Sequence, residues 1–253
     1  MRKLEAITGK LAPVDKERFI ELTYKDFDGE QKTVFVYPEP MKTKDGSVVR
    51  YLDFPEQLVL YRLATDVLGV PARHGSLRET AAAFRNPIAK EYNQRVLNPF
   101  WVYTGELAEN KGKGKAEVRR ALGARFVDEK WRKSGRPPSS VLMKDGKPIS
   151  ADLDNAEGEV IFHVQYVVKD VIQTSIATET GRFSGFKGVV PVDSEIKSEG
   201  DNSWNGTYFK DDFAAVEAGS HVGVQSLDAY ASSPSNRDSG GVLPIFSSSK
   251  PKK

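Results

Sequence analysis

Cysteine is absent from the 253-residue chain. That excludes a disulfide framework, a thiolate nucleophile and any cysteine-ligated zinc site. Methionine, tryptophan and histidine are scarce, at three each. The histidines are His74, His163 and His221. They are far apart and fit neither an H-x-E nor an H-E-x-x-H spacing. No apolar run approaches the roughly 18 residues of a membrane-spanning helix. The opening segment, Met1 to Lys10, is basic but has no apolar stretch of the kind a secretory signal carries. These absences together predict a cytoplasmic protein with no membrane partner.

Several catalytic motifs are missing as well. No G-x-S-x-G elbow is present. Gly112-Lys113-Gly114-Lys115-Ala116 has lysines and glycines, but not the phosphate-loop spacing, and no hydroxyl follows Lys115 to hold magnesium. The acidic group Asp152, Asp154, Glu157 and Glu159 surrounds a glycine, Gly158, misplaced for a calcium loop, and reads as an acidic turn. No cofactor and no metal site are expected.

What the chain does have is an uneven charge. The net value of +2 hides it. Residues 1–109 are balanced, with 16 basic and 16 acidic side chains. Residues 110–138 hold ten basic and three acidic, a net +7, and residues 139–253 carry a net −5. A dense positive segment inside a neutral-to-acidic chain points to a polyanionic partner. Lys111, Lys113, Lys115, Arg119, Arg120, Arg125, Arg132, Lys133 and Arg136 would meet phosphates, and Trp131 could stack on a base. The expected partner is nucleic acid, RNA or single-stranded DNA. Backbone contacts of this kind position a strand without reading its sequence. The positive middle and the negative C-terminal part also permit head-to-tail assembly into a homo-oligomer or a larger structural complex.

One enzymatic alternative stands beside this. Asp170 follows an apolar run, and Glu195-x-Lys197 lies 25 residues on. The spacing resembles that of metal-dependent nucleases of the PD-(D/E)xK kind, whose carboxylates hold magnesium while the lysine helps place the attacking water. The residues around Glu195 are polar, unlike a buried strand.

Local signals predict an α+β chain. Residues 19–24 and 33–37 read as strands joined by a turn at Asp28-Gly29. Residues 48–52 and 100–103 read as further strands. Pro55 opens a helix that Gly69 closes. Ser76-x-x-Glu79 is a capping box before a second helix, and Pro87 separates it from a third helical piece. A short helix is expected over 116–122, and one long strand over 160–168. Beyond about residue 178, short strands and loops are expected. Residues 1–230 read as one domain, which would subdivide near 110–138 if anywhere. Residues 231–253 read as a Ser/Pro/Lys-rich tail. Within that tail, Val242 to Phe246 is an apolar five-mer that must dock either on its own chain or on a partner.

Overall fold

The structure is a computed structural model. It describes residues 2–25, 30–97, 99–112, 115–126, 142–144, 147–148, 158–162, 166–177, 204–206, 213–219, 228–232 and 241–251. The fold is α+β, with antiparallel strands at the N-terminus, helices in the middle and strands in the C-terminal half.

Helix α1 (Arg2–Thr8) comes first, then strands β1 (Ile20–Lys25) and β2 (Gln31–Val36). β1 and β2 pair antiparallel, with Leu22 opposite Val34 and Ile20 opposite Val36, so the apolar positions meet across the ladder. The turn expected at Asp28-Gly29 lies outside the described residues. Helix α2 (Phe54–Leu68) begins at Asp53, whose carboxylate accepts from the Glu56 N–H at 2.8 Å. The Glu56 carboxylate in turn accepts from the Asp53 N–H. Pro55 occupies the first turn, and Gly69, at φ 69°, ends the helix in the left-handed region, where glycine costs least. Helix α3 (Leu77–Arg85) starts with the Ser76–Glu79 box the sequence shows. A composite helical stretch over 87–97 opens with Pro87.

The second sheet begins with β3 (Val102–Gly112) and β4 (Lys115–Phe126). It continues with β5 (Leu142–Lys144), β6 (Lys147–Pro148), β7 (Gly158–Phe162) and β8 (Tyr166–Ala177). It ends with β9 (Trp204–Gly206), β10 (Phe213–Gly219) and β11 (Asp228–Ser232). The nine strands run in the order β6-β5-β7-β8-β4-β3-β10-β11-β9. All neighbours are antiparallel except β11 and β9.

Three local expectations are corrected. The helix expected over 116–122 is part of β4. β4 is hydrogen-bonded to β3 on one edge and to β8 on the other, so its backbone groups are satisfied by long-range ladders that override local helix propensity. The single strand expected over 160–168 is two strands, β7 and β8, folded against each other with Phe162 opposite Tyr166. Alternation continues across the break, so the pattern alone does not reveal it. Residues 48–52 form no strand. Val48 makes an isolated bridge to Lys42, and Tyr51 at φ 61° breaks the extended run.

Two apolar clusters share β3. Tyr103 and Leu107 join the first, built with α1 and α2, while Val102 joins the second, built with β1, β2 and α3. The five-mer at 242–246 docks on its own chain. Strand β12 (Phe246–Ser247) adds to β2. Leu243 and Ile245 enter the first cluster, Val242 and Phe246 the second. Backbone bonds from Tyr37 to Ile245 (2.9 Å) and from Met41 to Leu243 (2.8 Å) fix the segment between the two cores.

Candidate nucleic-acid interface and an arginine-lined cavity

Of the basic residues singled out in the sequence, five lie on described strands. Lys111 is near the end of β3, Lys115 opens β4, and Arg119, Arg120 and Arg125 follow along β4. Arg119 sits opposite Leu107 on one side and Gln173 on the other, and Arg125 opposite Val167. Lys113, Trp131, Arg132, Lys133 and Arg136 lie outside the described residues. Asp170 is on β8, while Glu195 and Lys197 lie outside the described residues. His163 and His221 lie outside them too. Among the described residues no group of three or more His, Asp or Glu side chains is placed to hold a metal ion.

Arg120 leads to a site that sequence reasoning missed. It is the cross-strand partner of Glu106. Glu106 is buried, and its Oε2 accepts from the Leu77 N–H at 2.8 Å, at the first turn of α3. Burial pushes its carboxyl up to about 7, and the neighbouring Glu79 adds to this, against the Leu77 N–H and the Arg120 guanidinium.

Glu79 itself is ionised and saturated. It accepts two bonds from Arg73, at 2.6 and 2.7 Å, one from the Ser76 N–H at 2.7 Å and one from the Tyr24 hydroxyl at 3.0 Å. Burial works against the carboxylate, but the two-pronged Arg73 contact outweighs it and the pKa is lowered. Arg73 also donates to the His74 carbonyl and to the Ser248 hydroxyl, which ties the C-terminal segment to this cluster.

The next residue, His74, is buried between Phe54, stacked at 5.6 Å, and Tyr61, edge-on at 4.5 Å. Its Nε2 lies 2.8 Å from the Gln57 side-chain oxygen. The Gln57 amide nitrogen donates to the Leu52 carbonyl, so the oxygen is the group turned to the ring. His74 therefore donates from Nε2 and keeps a bare lone pair on Nδ1. That Nδ1 is buried and has no partner among the described residues. Burial, with the Arg73 charge adding to it, lowers the imidazole pKa to about 3, so the ring is neutral at physiological pH.

These groups border a cavity of about 290 Å³ between α2 and β4. Helix α2 contributes Leu58, Tyr61 and Arg62, and the segment before α3 contributes Ala72, Arg73 and His74. The floor is small-residue strand, with Gly105 of β3 and Ala121, Gly123 and Ala124 of β4, and Arg120 stands at its edge. Among the described residues that line the cavity, three are arginines and none is a carboxylate. The sequence gives little warning of it, because its parts are spread from residue 58 to residue 124. The nearest local signal is Arg73-His74 placed just before the Ser76–Glu79 capping box.

No family model, curated protein or solved structure matches the chain in comparisons with known proteins.

Proposed function

We propose that the chain is a non-catalytic nucleic-acid-binding protein that takes RNA or single-stranded DNA by its phosphate backbone through residues 111–136. The observation that carries this reading is the net +7 of residues 110–138 in a chain otherwise neutral or acidic. The length of β4 supports it. From Lys115 to Arg125 the strand rises by roughly 33 Å at about 3.3 Å per residue, a span of roughly ten stacked nucleotides at about 3.4 Å each. Arg120 faces Glu106 across the ladder and shares its charge with it. The mechanism is Coulomb attraction and counterion release, with arginine forks on phosphate oxygens.

The test is fluorescence anisotropy of a labelled single-stranded oligonucleotide, titrated with protein at low and physiological salt. Affinity should fall steeply with salt. Changing Lys111, Lys115, Arg119 and Arg125 together to Gln should lower the salt slope by up to about 0.7 per lost phosphate contact. No binding at low salt refutes the reading. Weight then passes to assembly through the same segment, which the net −5 of residues 139–253 favours. Light scattering would then find a homo-oligomer free of absorbance at 260 nm.

A further inference from the structure

We infer that the cavity between α2 and β4 is a phosphoryl-binding pocket, with Arg62 and Arg120 as its direct ligands and Arg73 as a fixed supporting charge. This goes beyond the strand-binding reading and does not require it.

The lining decides the sign of the ligand. With three guanidiniums and no carboxylate among the described residues that line it, the pocket suits an anion. The roles of the arginines differ. Arg73 is committed to Glu79, the His74 carbonyl and Ser248, so it contributes field rather than new contacts. Arg62 is exposed on α2 and has no carboxylate partner among the described residues. Arg120 is half-buried and comes from the opposite wall.

Two forks on different walls favour a tetrahedral oxyanion. A carboxylate is planar and is filled by one fork, whereas a phosphoryl group presents oxygens in several directions. The size agrees, since 290 Å³ falls just under the roughly 300–1,000 Å³ of small-molecule sites.

His74 adds a neutral, buried imidazole to the lining. It lines the cavity, and its buried Nδ1 lone pair lacks a donor among the described residues. Buried acceptors are seldom left so. The phosphoryl group can belong to a free mononucleotide or to a polynucleotide strand, and the two are separable by experiment.

The test uses the full chain and calorimetric titration with adenosine monophosphate, inorganic phosphate and, as the phosphate-free control, adenosine. Adenosine monophosphate should bind and adenosine should not. Arg62→Ala should weaken binding by about tenfold or more, as expected for losing a charge-assisted contact. Arg62→Glu should abolish it. Lys10→Glu makes the same charge change at an exposed position outside the lining and should leave binding unchanged. Arg62 is solvent-exposed, so its variants should keep the fold, checked by circular dichroism.

The same variants are then measured on the oligonucleotide. If adenosine monophosphate binds through Arg62 and the oligonucleotide does not bind at all, the pocket stands with a free nucleotide as its ligand, and the strand-binding reading falls. If only the oligonucleotide binds, and Arg62→Glu but not Lys10→Glu weakens it, the strand is the source. If Arg62→Glu changes neither, the pocket inference is overturned, whatever the oligonucleotide does.

Discussion

Replacing Glu106 by glutamine tests the electrostatics between β3 and α3. The folded chain holds the Glu106 proton up to a pKa of about 7, against 4.5 as its ordinary value. Between those two pH values the folded state binds a proton that the unfolded state has lost, so this group makes stability fall as pH rises. At about 1.36 kcal/mol per pH unit, the loss is about 3 kcal/mol, complete above pH 7. His74 has the opposite sign. Its folded pKa near 3 against 6.5 means that the unfolded chain takes up a proton the folded one refuses, so its contribution is lost as pH falls from 6.5 toward 3. From about pH 4.5 to 6.5 the two slopes cancel in the wild-type chain, so the comparison must be made between wild type and variant. Glutamine keeps an oxygen for the Leu77 N–H and cannot ionise. Near pH 4 the two proteins should therefore melt within a few degrees of each other. At pH 8 Glu106→Gln should be more stable by about 3 kcal/mol, which for a chain of this length is roughly 10 °C in Tm. The assay is thermal unfolding followed by circular dichroism at half-unit pH steps. A difference independent of pH, or a variant less stable at pH 8, would refute the reasoning, because attraction to Arg120 would then outweigh the cost of burying the carboxylate.

Other outcomes follow from packing and capping. Phe246→Ala removes a fully buried ring that packs edge-on against Tyr92 at 5.7 Å, and should cost about 3–5 kcal/mol in denaturant unfolding. A methyl group on Gly75 would lie 2.7 Å from the Phe246 ring, so Gly75→Ala should cost about 1–3 kcal/mol; pairing it with Phe246→Leu should recover part of the loss, and additive losses would refute the contact. Asp53→Ala opens the N-terminus of α2 and should cost about 1 kcal/mol, read from the urea midpoint. The Ser76 hydroxyl and the Glu79 carboxylate cap α3 jointly, but Glu79 also carries Arg73 and Tyr24. Glu79→Gln should therefore destabilise well beyond Ser76→Ala, because it leaves the half-buried Arg73 cation without its counter-charge.

The elements legible in the sequence were those whose signals are local. Pro55 and Gly69 bound α2, and the Ser76–Glu79 pair starts α3, because caps act within one helical turn. The alternation of β1 and β2 showed for the same reason. β4 was misread because its strand identity comes from partners far away in sequence, with Arg120 opposite Glu106 on one side and Ile172 on the other. The candidate site divided in the same way. The basic segment is visible as a run of letters, but the partnering of Arg120 with Glu106 is not.

The sequence by itself determined what chemistry is absent, with no thiol in the chain, and where charge is concentrated, because composition and charge need no fold to be counted. It also determined both ends of α2 and the start of α3, because capping is settled by residues a few positions apart. Only the tertiary structure decided that residues 242–247 close the two cores, that Glu106 is buried beside Arg120, and that Arg62, Arg73 and Arg120 border one cavity with His74. Each of those depends on burial and field summed over side chains brought together across as many as 180 or so positions of chain, and no local pattern carries such sums.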